Sequence, residues 1–410
     1  MEKMAFENKG RATQIEKRWV FPCTVIFLAA LTFSTALVEI SFTLALGGWL
    51  LLKFKDPDVS AMRGKMGLAL LGFVLICVAS FFWSEFPRQS FRGIFKVLKQ
   101  VLVFWIAADT LADAKRLSWT NRVLVVLFLF LGIDGVVQYV FGKDLIRHIP
   151  FEPASSGPRI SASFKNYGLL ASFVITFLPL LFSPLQKDES KGLFFQRIAA
   201  LLLGALLLYW TRMRGAWLAF AVGVAFYLFW MKRKRFFFLF LLLGATGLFL
   251  LPRHMKIHLD AEGKEQSIIE RFVLWERAIE VIRARPLTGT GINTYTVAHQ
   301  RYDRRQNWRV RNYYAHNGYL QIAAETGLPS LAFFLAFLFF YFSQALRSLK
   351  TLEGISRHTL IGIITGILNF LVFGGIDTVF HNPQAVLGFW FLAGWGMAYL
   401  RRFEARAEAQ

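Results

Sequence analysis

A histidine, an asparagine, a glutamine and a glutamate stand at positions 316, 317, 321 and 325 of Ala315-His-Asn-Gly-Tyr-Leu-Gln-Ile-Ala-Ala-Glu325, just ahead of a long apolar run. On a helix Gln321 and Glu325 are four apart and share a face that His316 flanks. The stretch therefore reads as a short amphipathic helix presenting polar groups beneath a loop, broken by Gly327 and Pro329. An imidazole with an ordinary pKa of about 6.5 can accept a hydroxyl proton near neutral pH, which makes His316 a candidate general base. A lone histidine with a structural role is the competing reading.

The second group is cationic. Arg212 and Arg214 sit in Tyr209-Trp-Thr-Arg-Met-Arg-Gly215, between two apolar runs. Charges so near hydrocarbon are costly unless they snorkel or bind something, and the planar guanidinium fork suits phosphate oxygens. Arg159 and Lys165, bordering Ile160-Ser-Ala-Ser-Phe164, add two donors. Ser84 to Lys99 carries Arg88, Arg92, Lys96 and Lys99 at spacings of three or four, one basic helical face fit for phosphates of lipid or substrate.

Other polar residues lead elsewhere. His254 and His258 are four apart near Asp260 and Glu262, but no third histidine or cysteine has ligand spacing, so no metal is expected. His381, in Phe380-His-Asn-Pro383, falls in a short turn and is expected to serve it. Asp134 and Gln138 are four apart in an apolar run, where a carboxylate usually faces a bundle interior. No path of paired ionisable groups accompanies them, which speaks against a pump or ion-driven transporter.

These residues must be positioned by membrane helices. Hydrophobic residues make up 55% of 410, with 44 phenylalanines, and the apolar runs recur at roughly the 20 residues that a helical crossing needs. The expected fold is all-α and polytopic. Twelve candidate spans lie near 19–37, 38–53, 66–83, 94–111, 121–141, 167–185, 194–210, 215–231, 236–252, 328–346, 359–378 and 384–400. They divide into an N-terminal bundle (1–252), a large loop (253–327) and a C-terminal set with a tail (328–410). The run from Trp19 follows a basic lead but is succeeded at once by another, so it is expected to be a retained helix. Cys23 and Cys77 both lie in apolar runs and suggest no disulfide.

Orientation follows from the basic residues. With the N-terminus inside, alternation puts every strong short-loop cluster inside too, including Lys53/Lys55, Lys115/Arg116 and Arg401/Arg402. It puts 142–166, 211–214, 253–327 and 379–383 outside. The large loop then holds twelve basic residues against eight acids, contrary to the topological trend. An anionic ligand or an anionic outer-leaflet surface explains that excess economically, and no nucleic-acid partner is implied. Within the loop, Glu270 to Arg285 has apolar residues at 272, 275, 278, 279 and 282, the spacing of an amphipathic helix ended by Pro286.

Taken together, Ser161-Ala-Ser-Phe-Lys-Asn-Tyr167, Thr211-Arg-Met-Arg-Gly-Ala216, Arg271 with Trp275, Pro286-Leu-Thr-Gly-Thr-Gly291, and His316-Asn-Gly-Tyr-Leu-Gln321 with Glu325 and Gly327 resemble the O-antigen ligase and polymerase superfamily of bacterial envelope enzymes. Two departures stand out. Arg212-Met-Arg214-Gly replaces a small Ser-Arg-Gly, which makes Arg214 the matching arginine, and Lys165-Asn166 stands where Pro-Asn is common.

Among these families the chain is most similar to the O-antigen ligases. That resemblance implies transfer of a glycan from undecaprenyl pyrophosphate to a sugar hydroxyl of lipid A-core, at the periplasmic face of the bacterial inner membrane. It further implies an inverting reaction without metal or cofactor. His316 would be the base, and Arg214 and Arg271 would neutralise the pyrophosphate. Arg212, Arg159, Lys165, Asn317, Gln321, Glu325 and Arg88 would contact substrate or membrane lipid. A polymerase lengthening a lipid-linked glycan is the nearest alternative, followed by transfer to protein. A lipid-linked glycan transporter is less favoured, because the charges gather at one rim rather than within the spans.

Overall fold

The computed structural model describes residues 19–55, 64–111, 114–153, 157–182, 190–239, 242, 266–302 and 313–408. Its long helices are α1 (Trp19–Ala30), α2 (Thr35–Lys55), α3 (Gly64–Ala79), α4 (Pro87–Thr110), α5 (Ala114–Phe141) and α6 (Tyr167–Phe177), followed by α7 (Lys191–Trp210), α8 (Arg214–Trp230), α9 (Gln266–Ala284), α10 (Gly318–Thr351), α11 (Gly354–Gly374) and α12 (Pro383–Glu408). Short 3₁₀ turns extend α3 to Trp83 and α6 to Phe182. The chain is an all-α polytopic membrane protein. Six helical stretches are long and apolar enough to cross a membrane by length and composition: α2, α3 with its 3₁₀ extension, most of α5 from Arg116, α7, α10 and α11. Leu71, Leu202 and Phe339 stand exposed on the outside, where hydrocarbon rather than water is the natural neighbour.

Because lipid tails are as apolar as leucine, the helices gain from close packing and polar bonds more than from hydrophobic transfer. Asn369 of α11 donates to the carbonyl of Ile175 in α6 at 2.7 Å, and Tyr341 of α10 donates to Ala393 of α12 at 3.0 Å. Bonds of this kind contribute about 0.6 kcal/mol each. Trp390 of α12 packs against Phe104 of α4 and Phe337 of α10, tying three helices into one core.

The two ends of the bundle differ in chemistry. At one end Asp109 of α4 pairs with Lys53 of α2 and Arg401 of α12, and Arg357 of α11 donates to the carbonyl of Trp230 at the end of α8. These basic residues are among those assigned to a single side by alternation. The opposite end gathers the first turns of α4, α6, α8, α10 and α12.

Several boundaries depart from the sequence reading. The first break falls at 31–34 rather than at 37, because Ser34 caps α2 by accepting from Leu37 at 3.2 Å. The basic stretch 84–99 and the span expected at 94–111 form one helix: Pro87 opens α4, which runs unbroken to Thr110. Most of the span expected at 236–252, and residues 253–265 of the loop, lie outside the described residues. Gly327 does interrupt the helix that carries Glu325, with φ 83° and ψ 164° inside α10.

Candidate active site

The site is built around that interruption. Pro286 to Gly291 folds against the break in α10. Leu328 donates to the Pro286 carbonyl at 2.8 Å, Thr290 to Ala324 at 3.0 Å, and Gly291 to Glu325 at 2.8 Å. Gly289 and Gly327 both have positive φ, and a Cβ on either would collide with the carbonyl of Glu325 or of Leu287 respectively. Only glycine permits both the backbone conformation and the approach.

Glu325 holds the next residues of that loop. Its buried carboxylate accepts from the amides of Asn293 at 2.7 Å and Tyr295 at 3.1 Å, and from Gln321 Nε2 at 3.0 Å. His381 Nε2 lies 3.6 Å from the same group. Gln321 in turn accepts from the amide of Ala315, so it links Glu325 to the segment that carries His316. These two residues, expected at the substrate, are occupied with protein partners and set the loop geometry.

His316 occupies the turn before α10 with φ 47°, a conformation uncommon for a residue with a Cβ. Asn317 caps the helix, its side-chain oxygen accepting from Tyr319 and Leu320 at 3.1 Å each. Trp275 of α9 donates to the His316 carbonyl at 3.4 Å. The imidazole is partly buried, and its Nδ1 lies 3.8 Å from Oδ1 of Asp377, in the turn after α11. Burial pushes the His316 pKa down. Asp377 pulls it up, the Arg271 guanidinium pushes it down and Glu270 pulls it up, leaving it below the ordinary value. A neutral imidazole at neutral pH is the form able to accept a proton.

Arg271 therefore lies within electrostatic reach of His316. Arg214 begins α8 and is exposed. Next to it, Gly215 packs so closely on α11 and the turn after it that a Cβ would come within 2.9 Å of Ile376, the neighbour of Asp377. The remaining expected residues are spread along this end of the bundle. The Arg212 guanidinium lies over the Tyr209 ring at 4.5 Å. Arg159 bonds Tyr167 at 3.1 Å and faces Glu152 at 3.5 Å. Lys165 is exposed beside Asn166, which caps α6. Arg88 is exposed in the first turn of α4. His254 and His258 lie outside the described residues.

Two residues went unrecognised as site members in the sequence. Asp377 carries the sole acid of the 375–382 turn, a signal that was available but had no visible partner. His381 does more than shape that turn: besides facing Glu325, its ring packs on Tyr314 at 5.4 Å. Helix α9 turns only part of its expected apolar face to the protein. Ala278 is buried together with Leu274 and Val281, and Trp275 and Ile282 are half-buried, whereas Phe272 and Ile279 are exposed.

The arrangement, a neutral imidazole beside a carboxylate with a guanidinium nearby, suits proton removal from a hydroxyl next to developing negative charge. Residues 199–335, which span α8, α9 and the site half of α10, match the family model described as O-antigen ligase (Wzy_C). The exopolysaccharide production protein ExoQ of Rhizobium meliloti (strain 1021) is 24% identical over 387 residues, covering 90% of this chain and 85% of that protein.

Proposed function

We propose that this chain, which carries the O-antigen ligase family's domain over residues 199–335, is an inner-membrane glycosyltransferase. It moves a glycan from undecaprenyl pyrophosphate to a sugar hydroxyl of lipid A-core at the periplasmic face. The observation that carries the reading is the setting of His316, kept neutral by burial and Arg271 while Asp377 stands 3.8 Å from its Nδ1.

In this reading Nε2 of His316 takes the proton of the acceptor hydroxyl as its oxygen attacks the anomeric carbon. The bond from that carbon to the pyrophosphate oxygen breaks, and the electron pair departs with the pyrophosphate. Attack opposite the leaving group inverts the anomeric centre. Asp377 stabilises the imidazolium that forms, and Arg271 with Arg214 neutralises the charge growing on the leaving group. The donor linkage already stores the energy, so no nucleotide or ion gradient enters.

The relative named for exopolysaccharide production, matched along 90% of the chain, favours a second acceptor. A lipid-linked glycan in place of lipid A-core makes the same chemistry a polymerase. One experiment separates the two. Purified protein in lipid receives undecaprenyl pyrophosphate glycan together with lipid A-core, and the products are resolved by mass. Glycan on lipid A-core is the expected product; longer lipid-linked chains alone would transfer the assignment to the polymerase, and no product from either acceptor would end the transferase reading.

A further inference from the structure

Behind the His316 turn lies a cavity of about 110 Å³ between α3, α4, α10 and α12, several times the room that one ordered water needs. Its walls are of two kinds. Phe73, Phe334, Phe380, Leu387 and Trp390 form an apolar side, while Lys96, Lys99, Asn293, Glu325 and His381 supply the polar one. His381 belongs to the same 375–382 turn as Asp377, so this cavity and the His316 pair share one short segment.

A row of cations leads to it. Arg88, Arg92, Lys96 and Lys99 follow one another along α4 at helical spacing. Lys99 is neutralised by Glu39 at 2.5 Å. Lys96 donates to Asn293 Oδ1 at 2.8 Å, and Asn293 in turn donates its amide to Glu325. Arg88 and Arg92 are exposed and have no acid partner among the described residues. The nearby acid Glu85 is engaged by Arg285 and Arg301. Net positive charge thus runs along α4 beside a chamber that is apolar on one side, within a protein surrounded by lipid.

We propose that this cavity is a second lipid subsite, separate from the arginines of α8 and α9, which seats the phosphate-bearing head of the acceptor lipid. The phosphate lies on Arg92 and Lys96, and the first hydrocarbon carbons lie against Phe334, Leu387 and Trp390. Its role as the acceptor seat rests on the transferase reading above. Two membrane-anchored substrates require two such seats, and the 375–382 turn that this one shares with the His316 pair lets them meet there. Phosphates beside a row of surface cations gain from charge neutralisation, and the apolar wall selects a lipid over a soluble anion.

The test uses the full chain in phosphatidylcholine nanodiscs doped with phosphatidic acid that carries a diazirine near the head end of one acyl chain. After irradiation, label should appear on peptides containing Phe334 or Leu387, and an equivalent phosphatidylcholine probe should give at most a fifth as much. Arg92→Gln with Lys96→Gln should cut the label at least fivefold without lowering the melting temperature. Leu387→Trp, which fills the chamber, should do the same. Millimolar glycerol phosphate should leave the label in place.

Equal labelling by phosphatidylcholine, undiminished labelling in the double variant, or displacement by glycerol phosphate would each overturn the lipid subsite. In transfer assays the double variant should raise the KM for acceptor about tenfold and leave that for donor within twofold; the reverse pattern would remove the acceptor role. Arg214→Lys keeps the two readings apart, because it should cut transfer about 10²-fold while the label persists. Labelling in a protein that never transfers glycan would retain the subsite and defeat the transferase.

Discussion

Nδ1 of His316 lies 3.8 Å from Oδ1 of Asp377, which brings the turn before α10 against the turn after α11. The two residues are 61 positions apart in the chain. Tyr319, three residues past His316, fastens the same junction by donating to the Leu371 carbonyl at 2.9 Å. The carboxylate also accepts from the amide of Thr378 at 2.6 Å, which fixes its orientation.

Replacing Asp377 by asparagine keeps the shape and removes the charge. Transfer should fall about 10–100-fold in kcat with the melting temperature unchanged, since a general base contributes about 10²–10⁴-fold and its orienting partner a share of that. His316→Ala should lose the full contribution. An Asp377→Asn enzyme with normal kcat would remove the carboxylate from the mechanism.

The pH profile provides a sharper check, because the charges around His316 act in opposite directions. The base works only when neutral, so activity should decline as pH falls through the His316 pKa, which lies below the ordinary 6.5. Arg271 lowers that pKa, so Arg271→Gln should move the acidic limb to higher pH. Asp377 raises it, so Asp377→Asn should move the limb to lower pH. Rates measured from pH 4.5 to 8 on all three proteins decide the matter, and shifts of the same sign in both variants would contradict the assignment.

Much of this arrangement was readable from residue types alone, for reasons that also explain what was not. Gly327 and Pro329 announced the break in α10, because a backbone at positive φ and a missing amide are properties of single residues. The helix over 270–285 was legible from its period, but its buried side was not. The expected face of 272, 275, 278, 279 and 282 overlaps a second apolar line of Leu274, Ala278 and Val281, and period cannot say how the helix is rotated between them. Leu274, Ala278 and Val281 are buried and Trp275 and Ile282 half-buried, which leaves Phe272 and Ile279 outward. Glu325 was picked out as polar in an apolar setting, but its partners Asn293 and Tyr295 lie 30 residues or more upstream. Asp377 and His381 escaped because their partners, His316 just before α10 and Glu325 within it, are more than 50 positions away, and such a contact leaves no spacing to read.

Glu325 is predicted to matter for stability before chemistry. In Glu325→Gln the side-chain NH₂ would face an amide donor at Asn293 or Tyr295, leaving one buried bond unmade and its partner unsatisfied. The cost should be about 1–3 kcal/mol, seen as a lower melting temperature and as faster proteolysis between Pro286 and Tyr302. Gln321→Ala, which removes one bond from the same carboxylate, should cost less. A Glu325→Gln protein as stable as its parent but inactive would instead place the carboxylate at the substrate.

Leaving-group stabilisation is the last step that can be isolated. If guanidinium groups neutralise the departing pyrophosphate, the fork geometry of Arg214 matters as well as its charge, because two donors can reach two oxygens at once. Arg214→Lys preserves the charge and loses the fork. It should reduce kcat by about 10²-fold, some 2.7 kcal/mol of transition-state stabilisation, with little change in the KM for acceptor. The same chemistry makes a divalent ion dispensable, so EDTA should leave the parental rate within twofold. A rate that collapses in EDTA and returns with magnesium, combined with a mild effect of Arg214→Lys, would give the charge-neutralising role to a metal instead.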